Sequence, residues 1–242
     1  VHNNIANIYN ILEKFDDALQ NYILASEYMV EVQNDKALSS IYMNIGSIYD
    51  QKKQFDEALS YYFKSLDIKN NFDDYLGMAN IINNIGYVYL EKGEYKTAQN
   101  YFKESIDLTT QANEDFNLPI LYCNLADTYV YFEEFDSALI MLNKGLEVSK
   151  KIGAKEKEKE MYKSLYVFYD TIQNVDQALK YYIKYSNLKD SLFNETKNAQ
   201  ITEMQTIYET EKKEKENELL KLQNQKQKHQ TYLLIAGIIA LL

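Results

Sequence analysis

The chain has 242 residues, of which 46% are hydrophobic, so it can bury a sizeable core and is not a disordered protein. Its 7 glycines and 1 proline are too few for the turns of an all-β sandwich or barrel. One cysteine and two histidines at opposite ends supply no catalytic triad, cysteine zinc site or histidine-rich metal centre. We therefore expect no catalytic, cofactor-binding or metal-binding residues here, and no enzymatic activity.

The charge is acidic and unevenly distributed. Every basic residue is a lysine, and the net charge is −10. Acids and lysines cancel within residues 191–242, which leaves the whole net charge on residues 1–190. An acidic surface without arginine repels nucleic acid and anionic lipid heads, so we expect no nucleic-acid partner.

An internal repeat with a period of about 40 residues extends over residues 1–190. It is defined by four columns: alanines (Ala18, Ala58, Ala98, Ala138, Ala178), tyrosines nine positions upstream (Tyr9, Tyr49, Tyr89, Tyr129, Tyr169), small residues twelve positions upstream (Ala6, Gly46, Gly86, Ala126) and large residues four positions downstream (Tyr22, Tyr62, Phe102, Leu142, Tyr182). In the fifth repeat Tyr166 replaces the small residue, a departure typical of the terminal repeat of a solenoid.

Each repeat predicts a pair of helices. In the first helix apolar residues such as Ile41, Ile45 and Ile48 recur at helical spacing. A short polar turn follows, and the second helix begins near an aspartate such as Asp16 or Asp56, which suits a helix N-terminus. The alanine and small columns mark where the paired helices approach closely, and the tyrosine and large columns fill the space between them.

These columns resemble the pattern of the tetratricopeptide repeat family, although the usual tryptophan and closing proline are missing. The spacing inside each hairpin matches the family, but the period exceeds the family's usual length of about 34 residues. The extra residues therefore fall between hairpins, where both helices should be longer than usual. HEAT and armadillo repeats have periods similar to the one found here but lack these columns. The resemblance implies an all-α fold, a right-handed α-solenoid of five repeats over residues 1–190 with the first repeat truncated.

The resemblance also implies that the first helices line a groove for a peptide or protein. The candidate binding residues are Asn83, Tyr87, Asp127 and Tyr131, together with an asparagine column that comprises Asn4, Asn44, Asn84 and Asn124. An asparagine can donate to a peptide backbone and accept from it at once. The alternative is that each asparagine bonds the backbone of the neighbouring repeat and stabilises the stack. Lys163 is the single basic groove candidate, so recognition of a terminal carboxylate is not expected.

Two further segments follow the repeats. Residues 191–230 predict a long charged helix, and candidate seam positions for a coiled-coil homodimer are Ile201, Met204, Tyr208, Glu211, Lys215, Glu218 and Leu222. Three of these positions are charged, so the coiled coil is weak at best and a single charged helix is the alternative. Residues 231–242 are an apolar run, too short to span a bilayer, that we interpret as the start of a transmembrane helix. A buried C-terminal helix is the alternative.

This order of segments is similar to that of bacterial tetratricopeptide sensor proteins, as are residues 189–195 and 208–213. The resemblance implies a non-catalytic sensor region of a membrane-anchored signalling protein, upstream of a histidine kinase or a DNA-binding output domain. The array would then be periplasmic at the bacterial inner membrane. A cytoplasmic array is the alternative, because Lys226 and Lys228 precede the apolar run and basic flanks favour the cytoplasm. The alternative function is a scaffold that assembles proteins without signalling.

Overall fold

A computed structural model describes the backbone of residues 1–241 and the side chains of residues 1–226. Over these residues every regular element is an α-helix, so the all-helical prediction is confirmed. The helices are α1 His2–Ile11, α2 Phe15–Glu31, α3 Asp35–Gln51, α4 Phe55–Asn70, α5 Tyr75–Glu91, α6 Tyr95–Gln111, α7 Leu118–Tyr131, α8 Phe135–Lys151, α9 Lys155–Thr171 and α10 Val175–Leu241. Consecutive pairs form hairpins, of which α3 and α4 are one example.

The helices are long and the turns between them are short. Both α3 and α5 have 17 residues, and α4 has 16. Residues 52–54 connect α3 to α4, and residues 71–74 connect α4 to α5. The residues that lengthen the period therefore extend the helices, as the sequence indicates.

Most turns share one backbone design. A residue with left-handed backbone recurs at even spacing, twice in every repeat: Glu13, Gln33, Lys53, Asp73, Gly93, Asn113, Glu133, Gly153 and Gln173. After α3 the N–H of Lys53 donates to the carbonyl of Asp50, and the N–H of Gln54 donates to the carbonyl of Tyr49. This pair of bonds is the Schellman motif, which satisfies the last carbonyls of a helix. The carbonyl of Gln54 then accepts from Ala58, so a single residue ends α3 and begins α4.

The core lies where the helices of a hairpin touch. The alanine column is buried in every repeat, and the small column lies directly beneath the large column. A methyl group on Gly46 would lie 2.7 Å from the ring of Tyr62, and one on Gly86 would lie 2.8 Å from the ring of Phe102. The small residues are thus required by contact between the helices, because a larger side chain would force them apart.

The fifth repeat departs from this packing. Tyr166 occupies the small column, and its ring packs edge to face on Tyr182 at a centroid distance of 5.4 Å. Tyr182 is 47% exposed, whereas Tyr22 and Tyr62 in the same column are buried. The large residue at position 166 therefore displaces its partner ring from the interior.

The chain divides into two compact units, Val1–Leu188 and the residues from Lys189 onward. The first unit contains the hairpins, and the second is formed by the later part of α10. In the described part of the chain no helix combines the length and the apolarity needed to cross a bilayer. The apolar run at 231–242 lies outside the residues whose side chains are described.

We expect Ala98→Leu to lower the free energy of unfolding by about 1–3 kcal/mol, because Ala98 is fully buried between α5 and α6 and has no room for a larger side chain. Urea denaturation followed by circular dichroism measures the change. Asn100→Leu is the matched control, since Asn100 lies on the exposed face of the same helix. Its effect should stay within about 0.5 kcal/mol. Equal losses at both positions would contradict the assigned repeat register.

Candidate functional site

The first helices of successive hairpins lie side by side. Each of α3, α5 and α7 contacts the next first helix of the array, α5, α7 and α9 respectively, in addition to its neighbours in the chain. First helices that touch each other across repeats line the inner face of the array. Since α1 is the first helix of the first hairpin, we include it in this face and call the face formed by α1, α3, α5, α7 and α9 the groove.

The asparagine column connects neighbouring repeats at its C-terminal end. The side-chain amide of Asn124 on α7 donates to the amide oxygen of Asn83 on α5, with the two atoms 2.8 Å apart. Ser164 takes the equivalent position on α9, and its hydroxyl lies 3.3 Å from the thiol of Cys123. Each bond joins a column residue to a side chain of the preceding repeat, not to the backbone that the structural hypothesis names.

The other members of the asparagine column differ from one another. Asn44 is half-buried and interacts with the hydroxyl of Tyr22 in the preceding repeat, whereas Asn4 is exposed. Asn84 is half-buried, and within the described side chains its amide has no hydrogen-bond partner. Asn44 and Asn124 are thus engaged between repeats, and Asn84 is the half-buried member whose amide is unpaired among the described side chains. Its role in peptide binding stays a prediction.

Tyrosines of the second helices reach the groove in the first two hairpins. The hydroxyl of Tyr22 on α2 donates to the side-chain oxygen of Asn7 on α1 at 2.5 Å. The hydroxyl of Tyr62 on α4 interacts with the hydroxyl of Ser47 on α3, one repeat later. Both rings are fully buried, so each fills the hairpin and satisfies a polar groove residue with its tip.

Carboxylates surround Tyr87 at the centre of the groove. Its pKa is raised first by desolvation and then by the negative charges of Glu91, Asp50 and Asp127. These three acids lie on α5, α3 and α7, so three adjacent helices contribute charge around one tyrosine. Burial and the charge of Glu91 also raise the pKa of Asp50. Lys53 forms an ion pair with Glu91 at 3.7 Å, so three acids and one lysine lie around the centre of the groove, which is negative on balance.

A pocket of about 250 Å³ opens beside Asp127, between α7 and α9. Its buried lining residues are Ala126, Leu142 and Phe168, and its accessible ones include Asp127 and Lys163. Although Asp127 keeps an accessible surface, the groove walls displace much of the water around its carboxyl, and this desolvation raises its pKa to about 6. No hydrogen bond or ion pair to Asp127 occurs among the side chains that the structure describes.

Tyr131 is placed apart from the other candidates. It is the last residue of α7, where its ring stacks on Tyr95 at the start of α6 and lies edge to face with Phe132. The structure therefore brings Asn83, Asn124, Tyr87 and Asp127 to the middle of the groove and puts Tyr131 at its turn edge.

The one cysteine of the sequence, Cys123, lies beside these positions. The thiol of Cys123 is buried, and its pKa is raised to about 12, so it stays protonated at neutral pH. Within the described residues, no three His, Cys, Asp or Glu side chains are placed to hold a metal ion. What the groove offers is amides, carboxylates and an apolar pocket, which are groups for binding.

Paired helices that stack with their first helices along one face define an α-solenoid repeat protein. The sequence profile described as tetratricopeptide repeat matches residues 1–71 and 77–151, and the chain belongs to this family. The predicted tetratricopeptide repeat array is confirmed.

Solved structures share the fold. BtubC from P. vanneervenii aligns with a TM-score of 0.69 at 18% identity, over 77% of this chain and 78% of that one. The apo form of RapI aligns with a TM-score of 0.71 at 17% identity, over 80% and 70% of the two chains. Aspartyl phosphate phosphatase F from Bacillus subtilis aligns with a TM-score of 0.62 at 17% identity, over 78% of this chain and 58% of that one. No curated protein matches the sequence.

We expect Asp127→Asn to raise the free energy of unfolding at pH 7, by less than about 1 kcal/mol because the groove is open to water. The folded pKa of Asp127 lies above the ordinary value of 3.8, so the ionised carboxyl costs stability above pH 6. Between about pH 6 and pH 4 the folded carboxyl takes up its proton, and the advantage of the variant should disappear.

Thermal denaturation at several pH values measures this effect. Glu104→Gln on the exposed face of α6 removes one negative charge from the same array and serves as the control. A pH-independent difference between Asp127→Asn and the native chain would show that the carboxyl is not desolvated.

Proposed function

We propose that the groove binds an extended segment of a partner protein. The observation that carries this proposal is the half-buried amide of Asn84, which has no partner among the described side chains and lies on the face where first helices meet. An unpaired amide at such a site gains a hydrogen bond when a peptide backbone is laid against it. Membership of a family of repeat scaffolds supports the same function.

Binding should depend on the asparagine column. We expect Asn84→Ala to weaken binding of peptides selected from a random displayed library against the native array, by about five- to tenfold for one lost hydrogen bond with a buried partner. Fluorescence polarisation measures the affinity. The fold should be largely retained, because Asn84 makes no internal bond with a described side chain.

Asn100→Ala on the outer helix α6 is the matched control, and its affinity for the peptides should equal that of the native array. If Asn84→Ala loses stability in step with affinity, the asparagine supports stacking instead. Selected peptides that bind both variants equally would place the binding surface elsewhere.

We further propose that the chain is the sensor region of a membrane-anchored signalling protein at the bacterial inner membrane, with the array in the periplasm. The support is the order of its parts: repeats, a long charged helix and the apolar run at 231–242. Receptors with one membrane helix signal by changing how two copies pair, so this function requires a dimer. Ile201, Met204, Tyr208 and Leu222 are exposed apolar residues on α10 at the spacing of a seam.

A scaffold without signalling is the second candidate. The charged seam positions Glu211, Lys215 and Glu218 favour it, because charged seam residues weaken pairing of α10 with a second copy. Both candidates use the groove, so only the behaviour of α10 separates them.

Disulfide crosslinking in membranes distinguishes the two candidates. In a Cys123→Ser background, we expect single cysteines at Met204 and Leu222 to crosslink in the membrane fraction of bacterial cells, with Gln205→Cys as the control off the seam. Confinement to a membrane raises the effective concentration of a weakly pairing helix, so a chain truncated after Gln230 should crosslink far less. Equal crosslinking at all three positions, or none, would favour the scaffold.

A further inference from the structure

The fourth hairpin lacks a contact that the first two hairpins make. Two columns are involved, the groove residues Asn7, Ser47, Tyr87 and Asp127 and the second-helix residues Tyr22, Tyr62, Phe102 and Leu142. In the first two hairpins a tyrosine fills the interior and bonds the groove residue through its hydroxyl. In the fourth hairpin Leu142 is shorter than tyrosine and has no hydroxyl, so it can neither fill that space nor bond Asp127.

The pocket beside Asp127 lies where this contact is missing. Leu142 itself lines the pocket, together with Ala126 of the small column and Phe168 of α9. All three are at most 4% exposed and form an apolar floor, whereas Asp127 and Lys163 lie at the accessible rim. At about 250 Å³ the pocket can take one side chain of a bound segment and not a whole helix.

The lining of the pocket contains two acids, Asp127 and Glu160, and one lysine, Lys163. Glu160 forms an ion pair with Lys159 at 3.5 Å. Asp127 is therefore the lining carboxylate that has no ion pair among the described side chains. Further along the groove, the charges of Asp50 and Glu91 act on the same tyrosine as Asp127 does. Carboxylates that share a low-dielectric concave surface attract cations more strongly than isolated surface acids do.

We propose that this pocket receives a lysine or arginine side chain of the segment bound in the groove, with its alkyl stem on Leu142 and Phe168 and its cation on Asp127. Lysine and arginine combine a long apolar stem with a charged tip, which matches an apolar floor below a carboxylate rim. This inference rests on the proposed groove function and adds a residue preference to it. Lys163 competes with the incoming cation for the same carboxylates.

Positional-scanning libraries of acetylated, amidated nonapeptides test the preference. The central residue is fixed as lysine, arginine, norleucine or glutamate, and norleucine keeps the stem of lysine without its charge. We expect the lysine and arginine libraries to bind the native array about tenfold more tightly than the norleucine library, and the glutamate library to bind most weakly. Competition fluorescence polarisation gives the relative affinities.

Variants assign the preference to the pocket. Asp127→Asn should make the lysine and norleucine libraries bind equally, whereas Lys163→Gln should strengthen binding of the lysine library about two- to fivefold and leave norleucine unchanged. Leu142→Tyr rebuilds the ring found in the first two hairpins, where Tyr22 is accommodated above Ala6. It should fill the pocket and abolish the preference. Circular dichroism melting checks that each variant is folded.

The outcomes separate the two proposals. If the native array binds the norleucine library as tightly as the lysine library, the cation site is wrong and the groove function stands. A lysine preference that survives in both Asp127→Asn and Leu142→Tyr also overturns the cation site, because the charge of the peptide lysine would then be recognised by another part of the array. Failure of every library to bind the native array overturns the groove function and the cation site together.

Discussion

The structure depends on how closely the two helices of a hairpin approach each other. Gly46 and Gly86 lie so near the rings of Tyr62 and Phe102 that a single methyl group would lie within 3 Å of them. Interiors packed to this density tolerate little change in volume, so the small and large columns have to change together. Where they do not, at Tyr166, the partner ring of Tyr182 is displaced towards solvent. The position of every groove residue follows from this spacing, because it sets where each first helix lies.

Much of the helical architecture could be predicted because the residues that pack between helices recur in the sequence at a fixed interval. The alanine column follows from a residue whose size allows few alternatives, and the long helices follow from the length of the period. The turns were less accessible, since seven of the nine left-handed residues are not glycine and carry no composition signal. Their even spacing becomes visible only once the backbone is known. A second column of small residues, Ala25, Ser65, Ser105 and Gly145, has the same period as the other columns and is also buried.

The residues of the groove could be predicted from the sequence, but the hydrogen bonds between them could not. The sequence indicates which residues lie on the first helices, and Asp127 was among them. It does not reveal that Asn124 bonds Asn83 while Asn84 has no hydrogen-bond partner among the described side chains, since both outcomes fit one column of identical residues. The pocket beside Asp127 depends on Leu142, a residue on another helix that contributes nothing polar itself. The pocket is present because Leu142 stands where the first two repeats have a tyrosine. This difference is recognised only when the repeats are compared with one another.

The uniform turns have a consequence for how such an array can change in length. Turns within a hairpin and turns between hairpins each contain one residue with left-handed backbone, and most of them have three residues, so most turns do not distinguish inner helices from outer ones. That distinction resides in the side-chain columns alone. Loss or gain of one whole repeat preserves the alternation of inner and outer helices and changes only the length of the array. Loss of half a repeat would leave the turns intact yet exchange the two layers of helices beyond that point, so that the asparagine column would face outward. Insertions or deletions by unequal recombination therefore keep the two layers in place only when they comprise whole repeats, although the chain reverses direction twice in each repeat.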